Sequence, residues 1–389
     1  MCKAFPVAES DGSDAEDTAH RPLQVEVAGV TCLGWTAAGG QAREAHESEL
    51  AHAVWLEERT ARAEAGLEDV GFIECAPRYP AEDRLGKERL GKEIQDGDIG
   101  NQGSGDQLAG VGSTGGQLAV FVRTGPEYFG HPTTRHRLLG AMINNSTTIW
   151  TGPVGEALQE DFRDAFWRSP QVQGAILLCD SEESRWEYYR SLAGGLGNRM
   201  SVDDLKALPD WELMTYIGPP GMAQRHHEWR SFMFGNHWTQ EGIEDFMVDL
   251  DHHPGSKGCS GGREFPTQLC HGTIAALSAT TWTLATPLER FCALGFHALP
   301  AVCTQWPECD LMRIIRAENI SRSSLHKLTG NGMHLVSQAA WMTYVLSHCA
   351  RRDWFESSPR TVPGSEVDIE ADDEWAESQC PMVVGITEA

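Results

Sequence analysis

The segment of residues 23–77 most constrains the fold, because its apolar side chains recur first with strand periodicity and then with helix periodicity. LQVEVAGV (residues 23–30) alternates apolar positions and ends at small residues, which is typical of a strand. SELAHAVWLEERTARAEA (residues 48–65) is rich in helix formers and precedes Gly66, a common helix stop. Three apolar residues share one face of this helix: Leu50, Val54 and Trp55. VGFIECAP (residues 70–77) indicates a second strand, so the order predicts a parallel βαβ unit with a right-handed crossover.

Two residues with reactive side chains fall at the ends of these strands. Cys32 follows the first strand, and Glu74 lies near the end of the second. Ligands and catalytic groups collect at the carboxyl edge of open α/β sheets, so we expect Cys32 and Glu74 to project near the same edge. Cysteine is also among the most commonly buried residues, so the residue type alone leaves both a nucleophile and an inert packed thiol open.

The next part of the chain predicts an insertion followed by two more strands. Residues 81–116 contain a repeated RLGKE pentapeptide and a glycine-crowded stretch, which are typical of a flexible loop. Their Gly-x-Gly-x-x-Gly pattern (residues 110–115) precedes a strand-like run instead of following one, so it does not predict a phosphate-binding loop. QLAVFV (residues 117–122) and LLGAMI (residues 138–143) indicate strands.

The second half of the chain has a less regular pattern. Clustered Trp, His, Gly and Pro between residues 152 and 266 predict a smaller, loop-rich domain. Within it, residues 174–197 indicate a strand, then a helix that ends at glycines. The glycines at positions 330 and 332 predict a turn, and an apolar helix follows it.

The charge of the chain is concentrated in two runs. Lys and Arg number 31 against 56 Asp and Glu, which gives a formal net charge of −25. Residues 9–17 hold five carboxylates and residues 366–377 hold seven, in both cases without a cation, and such runs predict solvated, disordered tails. An overall basic footprint is absent, so DNA binding would need a local cationic surface.

The composition also bears on location and on metal content. The sequence has no apolar stretch of about 18 residues and no charged-then-apolar leader, so we predict no membrane association and an intracellular protein, nuclear if its source is eukaryotic. Its 11 cysteines have irregular spacings and form no CxxC pair, so reduced thiols are expected. The spacing of the remaining candidate ligands fits no zinc pattern, and we predict no metal. These candidates are His252, His253, Cys259, Cys303 and Cys309.

Several short motifs occur in an order that resembles the cytosine-C5 DNA methyltransferases. They are TCLGWTAAG, FIECAP, YFGHPTTRHR, and TPLERFCALGFHALP with LTGNG. In that family the corresponding pieces are a Pro-Cys-Gln-x-Phe-Ser-x-x-Gly loop, a Glu-Asn-Val-Pro strand end, a Tyr-Gly-x-Pro-Gln-x-Arg-x-Arg segment, a Leu-Thr-x-Arg-Glu-x-x-Arg-x-x-Gly-Phe-Pro stretch, and a closing Gly-Asn. The matching positions are Cys32, Trp35, Thr36, Gly39, Glu74, Pro77, Phe129, Gly130, Pro132, Arg135, Arg137, Thr286, Glu289, Gly295, Phe296, Gly330 and Asn331.

The resemblance implies a role for each site residue. Cys32 would add to cytosine C6, because C5 attacks a methyl sulfonium only after a thiolate has made the ring an enamine. Arg135 and Arg137 would lower the thiol pKa, which is about 8.5 in a free cysteine. Glu74 would donate a proton or a hydrogen bond at N3 of the base. The resemblance further implies S-adenosylmethionine as the methyl donor, Asn331 as a cofactor-binding residue, and DNA as the partner, with its target base swung out of the duplex.

The sequence departs from the family pattern in ways that keep other functions open. The family's Phe-x-Gly-x-Gly turn, which belongs to its cofactor-binding half, is not found before Cys32 or after it. Four family positions carry other residues: Thr31, Leu33, Cys75 and Thr133. One alternative is a catalytically inactive remnant that binds DNA or a protein partner, and the latter fits an incomplete chain. Another is a hydrolase that pairs Cys32 with a histidine.

Together these observations predict an α/β fold of the Rossmann-like class I methyltransferase type. Its sheet would lack the first, cofactor-binding strands and would carry a smaller, loop-rich target-recognition domain. The predicted divisions are a disordered acidic tail (1–22), a catalytic half domain (23–152, with a flexible insertion at 81–116), a target-recognition-like domain (153–300), a return to the catalytic domain with a closing helix (301–350), and a second acidic tail (351–389).

Overall fold

A computed structural model of the chain shows a mixed α/β fold with several sheets. The structure describes residues 22–29, 46, 48–80, 116–194, 199–218, 220–235, 245–256, 261–270, 272–278, 280–299 and 309–357. The described strands are β1 (Val25–Gly29), β2 (Val70–Cys75), β3 (Gln117–Thr124), β4 (Arg137–Asn144), β5 (Thr148–Trp150), β6 (Phe246–Asp249), β7 (Gly261–Gly262), β8 (Ile274–Leu277), β9 (Trp282–Leu284) and β10 (Cys349–Arg351).

The described helices connect and cover these strands. They are α1 (Ser48–Glu64), α2 (Glu156–Phe166), α3 (Glu182–Leu192), α4 (Val202–Lys206), α5 (Asp210–Ile217), α6 (Met222–Gly235), α7 (Pro287–Cys292), α8 (Asp310–Ala317), α9 (Arg322–Asn331), α10 (Leu335–Ser347) and α11 (Arg352–Ser357), with 3₁₀ helices at Pro126–Tyr128 and Gly174–Leu177. None of these helices is long and apolar enough to cross a membrane.

The first sheet has the strand order β1-β2-β4-β3. The predicted parallel βαβ unit is confirmed, because β1 pairs in parallel with β2 and α1 connects them. The strands predicted at residues 117–122 and 138–143 are also confirmed as β3 and β4, but β4 is inserted antiparallel between β2 and β3. The sheet is therefore mixed.

Side-chain alternation along these strands separates two apolar layers. Phe72 and Leu139 pack on one face, against α2 and α10. Ile73 and Leu138 pack on the opposite face, toward α1. Because strand side chains alternate with a period of two, Glu74 lies on the same face as Phe72, at the end of β2.

The face of α1 that the sequence pattern marks as apolar is not the face that is buried. Leu50 is 74% exposed and Val54 is 55% exposed, whereas the polar residue Arg59 is buried and forms an ion pair with Glu68. Burial of this pair and of the neighbouring helix surface fixes the orientation of α1. The helix ends as predicted at Gly66, whose φ of 68° favours glycine.

The middle of the chain is more regular than the predicted loop-rich domain. Between residues 153 and 300 the structure describes six α-helices and a second sheet of order β7-β6-β8-β9. Several of these helices are short and begin at a hydroxyl N-cap, as at Ser201 and Thr286, so local capping defines them more than a long apolar period.

Two local predictions need correction. The segment predicted as a strand at residues 174–178 begins with a 3₁₀ helix, although the helix after it is confirmed as α3. The turn predicted around residue 330 is instead the last turn of α9, which is capped by Gly332. Gly330 has no room for a side chain there, because a Cβ would lie 2.3 Å from the backbone nitrogen of Cys270.

Candidate active site

Glu74, Arg135 and Arg137, hereafter the edge cluster, meet at the carboxyl end of β2. Arg137 begins β4 and places its Nε 2.9 Å from Oε1 of Glu74, while Arg135 Nε lies 3.9 Å from the same oxygen. The Glu74 side chain is 9% exposed, so it is shielded from bulk water. The structure therefore brings three of the sequence-predicted site residues together around one carboxylate.

Two polar atoms of the edge cluster have no aligned hydrogen-bond partner in the described part of the chain. They are Oε1 of Glu74 and Nε of Arg135, and both are buried. The 2.9 Å approach of Arg137 is thus an ion-pair contact in which the N–H does not point at the oxygen. A buried polar atom left unpaired is costly, so this arrangement has unused capacity for a polar ligand.

Backbone carbonyl oxygens hold the Arg135 guanidinium in place. Its Nη2 donates to the carbonyl oxygens of Gly332 at 2.5 Å and Gly330 at 3.4 Å, and its Nη1 donates to that of Gln268 at 3.4 Å. Burial lowers the pKa of Arg135 to about 9, with a further decrease caused by the Arg137 charge. Arg135 therefore connects the end of α9 to the edge cluster, which makes it a positioning residue as well as a cation.

Asn331 lies beside this connection. Its side-chain Oδ1 accepts a hydrogen bond from Sγ of Cys270 at 2.9 Å. The main-chain carbonyls on either side of it, those of Gly330 and Gly332, accept from Arg135. The predicted cofactor-binding role of Asn331 stays a prediction, and the contacts that the structure gives are to the protein itself.

Cys32 lies outside the described residues, as do Trp35, Thr36 and Gly39. The last described residue before it is Gly29, which pairs with Glu74 in the β1–β2 register. The role of Cys32 as a nucleophile stays a prediction.

Two histidines that the sequence did not identify lie next to the edge cluster. His131 and His334 contact each other edge to face, with ring centroids 4.6 Å apart and His334 Nε2 3.4 Å from His131 Nδ1. Burial lowers the pKa of His131 to about 4 and that of His334 still further, with the charge of Arg135 adding to the latter shift. Both rings are therefore neutral near pH 7. The only sequence signal is their position within, or just after, a family motif.

A second buried arginine supports the same region. Arg290 donates to the carbonyl oxygens of Leu269 at 2.5 Å and Gly272 at 2.9 Å, and to Oε1 of Gln268 at 3.2 Å. Because Arg135 also donates to the Gln268 carbonyl, the two arginines together hold residues 268, 269 and 272. The sequence pattern selected the neighbouring Thr286 and Glu289 but gave no signal for Arg290.

Three of the five candidate metal ligands lie within the described residues: His252, His253 and Cys309. No group of three or more His, Cys, Asp or Glu side chains able to hold a metal occurs among the residues that the structure describes. His252 instead contacts Asp249, with Nδ1 3.1 Å from Oδ2. Cys259 and Cys303 lie outside the described residues.

Comparisons with known proteins add little to this geometry. No protein-family model matches the chain, and no curated protein matches its sequence. Among solved structures, the chain is similar to a crystal structure of a Spodoptera frugiperda DNMT2 mutant, with 10% identity over 72% of this chain and 67% of that chain and a TM-score of 0.29. Similarity at this score carries no argument, so the proposal below depends on the edge cluster.

Proposed function

We propose that the chain is a cytosine-C5 DNA methyltransferase-like protein, in which Cys32 forms a covalent adduct with a cytosine of DNA. The observation that carries this proposal is the edge cluster, where a buried carboxylate oxygen and a buried guanidinium N–H lack aligned partners. A base that presents both a donor and an acceptor at its edge would pair with the Glu74 oxygen and the Arg135 N–H, respectively. Cys32 is three residues beyond Gly29, the register partner of Glu74, and three residues span at most about 11 Å.

Each residue of the proposed site has a distinct role. The Cys32 thiolate adds to C6, and the acid form of Glu74 neutralises the resulting charge by transferring its proton, or donating a hydrogen bond, to N3. The Arg137 guanidinium orients the carboxyl group of Glu74 and favours the thiolate electrostatically. Arg135 supplies a second positive charge and holds the end of α9 in place.

The described residues identify no binding site for S-adenosylmethionine, which would supply the methyl group, so its binding requires a direct measurement. Asn331 is the residue that the resemblance assigns to this cofactor, and its amide oxygen is occupied by Cys270. The β5–α2 connection carries Gly152 and Gly155, the N-cap of α2, but it lacks the Phe-x-Gly-x-Gly pattern of the family's cofactor turn. No step through the cofactor is therefore derived.

Calorimetry with S-adenosylmethionine, followed by trapping on DNA, tests the proposed activity. The DNA is a random-sequence duplex pool in which 5-fluorocytosine replaces cytosine, so that no target sequence need be known. We expect cofactor binding and a denaturation-resistant protein–DNA adduct that is lost in Cys32→Ser and retained in Cys309→Ser. Absence of cofactor binding at millimolar concentration, together with absence of the adduct, would contradict the proposal.

A second candidate function is a catalytically inactive remnant that binds a protein partner. A specific observation favours it: the edge strand β1 and the helix α1 each expose large aliphatic side chains, those of β1 on the sheet face opposite α1. They are Val25 (40% exposed), Val27 (41%), Leu50 (74%) and Val54 (55%). Exposed apolar groups around a sheet-edge strand are typical of interaction surfaces. Cofactor binding discriminates the two functions, because the remnant requires none.

A further inference from the structure

A cleft of about 280 Å³ lies between α2 and the segment that joins β3 to the first 3₁₀ helix. Five of its lining residues are Arg123, Tyr128, Phe129, Arg163 and Trp167. Ligand pockets start at about 300 Å³, so this volume suits one small planar group and not a folded partner.

The cleft is lined by aromatic side chains and two arginines, of which Arg163 also lies 3.4 Å from the Asp164 carboxylate. Tyr128 is 40% exposed and Trp167 is 49% exposed, whereas Phe129 packs edge to face on buried Phe162 at 5.9 Å and closes the floor. Two guanidinium groups and no carboxylate line the cleft, although the whole chain carries a net charge of −25. Rings flanked by arginines fit a flat, anionic ligand, since bases stack on aromatic side chains and guanidinium groups contact phosphate.

Gln159, a polar residue that lines the cleft, already has hydrogen-bond partners within the protein. Gln159 accepts a hydrogen bond from the backbone nitrogen of Arg123 at 2.7 Å and donates one to the Arg123 carbonyl at 3.2 Å. Its amide therefore closes the edge of β3 and is not available to read a base edge. Binding in the cleft is thus expected to depend on stacking and charge and to tolerate different bases.

The cleft lies close to the edge cluster. Thr124 lines it and is the register partner of Arg137 in the β3–β4 pairing. The side chains of Thr124 and Glu74 both point to the sheet face that packs against α2 and α10, because each lies two residues from a member of that apolar layer, Val122 and Phe72. The cleft and the edge cluster therefore lie on the same face of the sheet, at neighbouring strand ends.

We propose that this cleft binds one unpaired nucleotide of the substrate strand, next to the target base. The base stacks on Trp167 and Tyr128, and Arg123 and Arg163 contact its phosphate. This inference rests on the proposed function for the identity of the strand, but the nucleotide-binding property is testable without catalysis.

Fluorescence anisotropy with a short fluorescein-labelled single-stranded DNA tests the inference. We expect Trp167→Ala to weaken binding about tenfold, the loss of one stacked base, and Arg163→Ala to reduce the salt dependence of binding. Matched controls are Trp211→Ala, which removes a Trp that is 67% exposed on α5, and Arg313→Ala, which removes an exposed arginine paired like Arg163 with a nearby aspartate. Both controls should bind like the wild type.

The same variants separate failure of this inference from failure of the proposed function. If Trp167→Ala binds the oligonucleotide as tightly as the wild type, or no more weakly than Trp211→Ala, the cleft is not a nucleotide site, whatever the adduct assay shows. If no adduct forms but Trp167→Ala still binds about tenfold more weakly, the nucleotide site stands and the proposed methylation chemistry fails. Circular dichroism verifies that each variant is folded.

Discussion

Two buried glutamate–arginine pairs in this molecule have the same chemistry but different degrees of satisfaction. Glu289 is fully buried, and both of its carboxylate oxygens accept hydrogen bonds, from Arg185 at 2.5 Å and from the backbone nitrogens of Asp180 at 2.9 Å and Thr286 at 2.8 Å. Glu74 Oε1 lies 2.9 Å from Arg137 Nε, yet it accepts no aligned hydrogen bond. The Nε of Arg185, like that of Arg135, has no aligned partner, so the two pairs differ at the carboxylate: that of Glu289 is fully satisfied, whereas that of Glu74 retains capacity for a ligand.

The largest expected effect is at the satisfied pair. Glu289→Ala leaves Arg185 and two backbone N–H groups without their acceptor, so we expect the free energy of unfolding to fall by about 3–5 kcal/mol. Urea denaturation of the purified variant measures the loss. A decrease of less than about 1 kcal/mol would show that Glu289 is not the structural counterpart of Glu74.

A smaller loss of stability is expected when Arg135, which holds the end of α9 next to the edge cluster, is replaced. Arg135→Met keeps the volume of the side chain but leaves the Gly332 and Gly330 carbonyls without their donor, which should cost about 2–3 kcal/mol. Arg135→Lys should recover part of the loss, because one ammonium group reaches one carbonyl. Thermal unfolding of both variants checks this order. Equal stability of Arg135→Met and the wild type would contradict this role of Arg135.

The buried histidines beside Arg135 predict a pH dependence. Burial lowers the pKa of His131 to about 4 and that of His334 further, whereas both titrate near 6.5 when unfolded. The unfolded chain therefore takes up protons first as the pH falls. Stability from these groups is complete above about pH 6.5 and decreases toward about pH 4, by roughly 1–2 kcal/mol per histidine at about pH 5.

Urea denaturation at about pH 7.5 and about pH 5 measures this dependence. The double variant His131→Gln/His334→Gln should lose less stability between these two values than the wild type does. His226, whose pKa burial also lowers to about 4, is present in both proteins and contributes equally. An unchanged pH dependence in the double variant would show that His131 and His334 do not cause the loss of stability at low pH.

The smallest effect on stability is expected at Glu74. In Glu74→Gln, Arg137 retains contact with water and Arg135 retains its carbonyl partners, so the free energy of unfolding should change by about 1 kcal/mol or less. A loss comparable to that of Glu289→Ala would place Glu74 among the structural pairs and remove the basis of the proposed site.

Some of these features follow from the sequence because they depend on local periodicity. The alternating apolar residues of β1 to β4 identify the strands, and the end of β2 at Cys75 places Glu74 at the sheet edge. The buried face of α1 does not follow, since the ion pair of Arg59 with Glu68 buries a polar residue while Leu50 stays exposed.

The remaining features depend on contacts between distant parts of the chain. The sequence selected Arg135 by its spacing from Arg137, but its carbonyl partners lie almost 200 positions further along the chain. The contact of His131 with His334 likewise joins segments 203 residues apart, and no local pattern encodes it. The cleft forms only where α2 packs against β3, so no local pattern brings Trp167 next to Tyr128.

The central claim is that Cys32 and the edge cluster act on one base, and a cofactor-independent trap tests it most directly. A random-sequence duplex pool carrying pyrimidin-2-one in place of cytosine accepts a thiolate at C6 without methyl transfer. We expect an adduct with the wild type and Cys309→Ser, its loss in Cys32→Ser, and formation slowed by about 10²-fold or more in Glu74→Gln. An adduct that persists in Cys32→Ser, or forms equally fast in Glu74→Gln, would contradict the account.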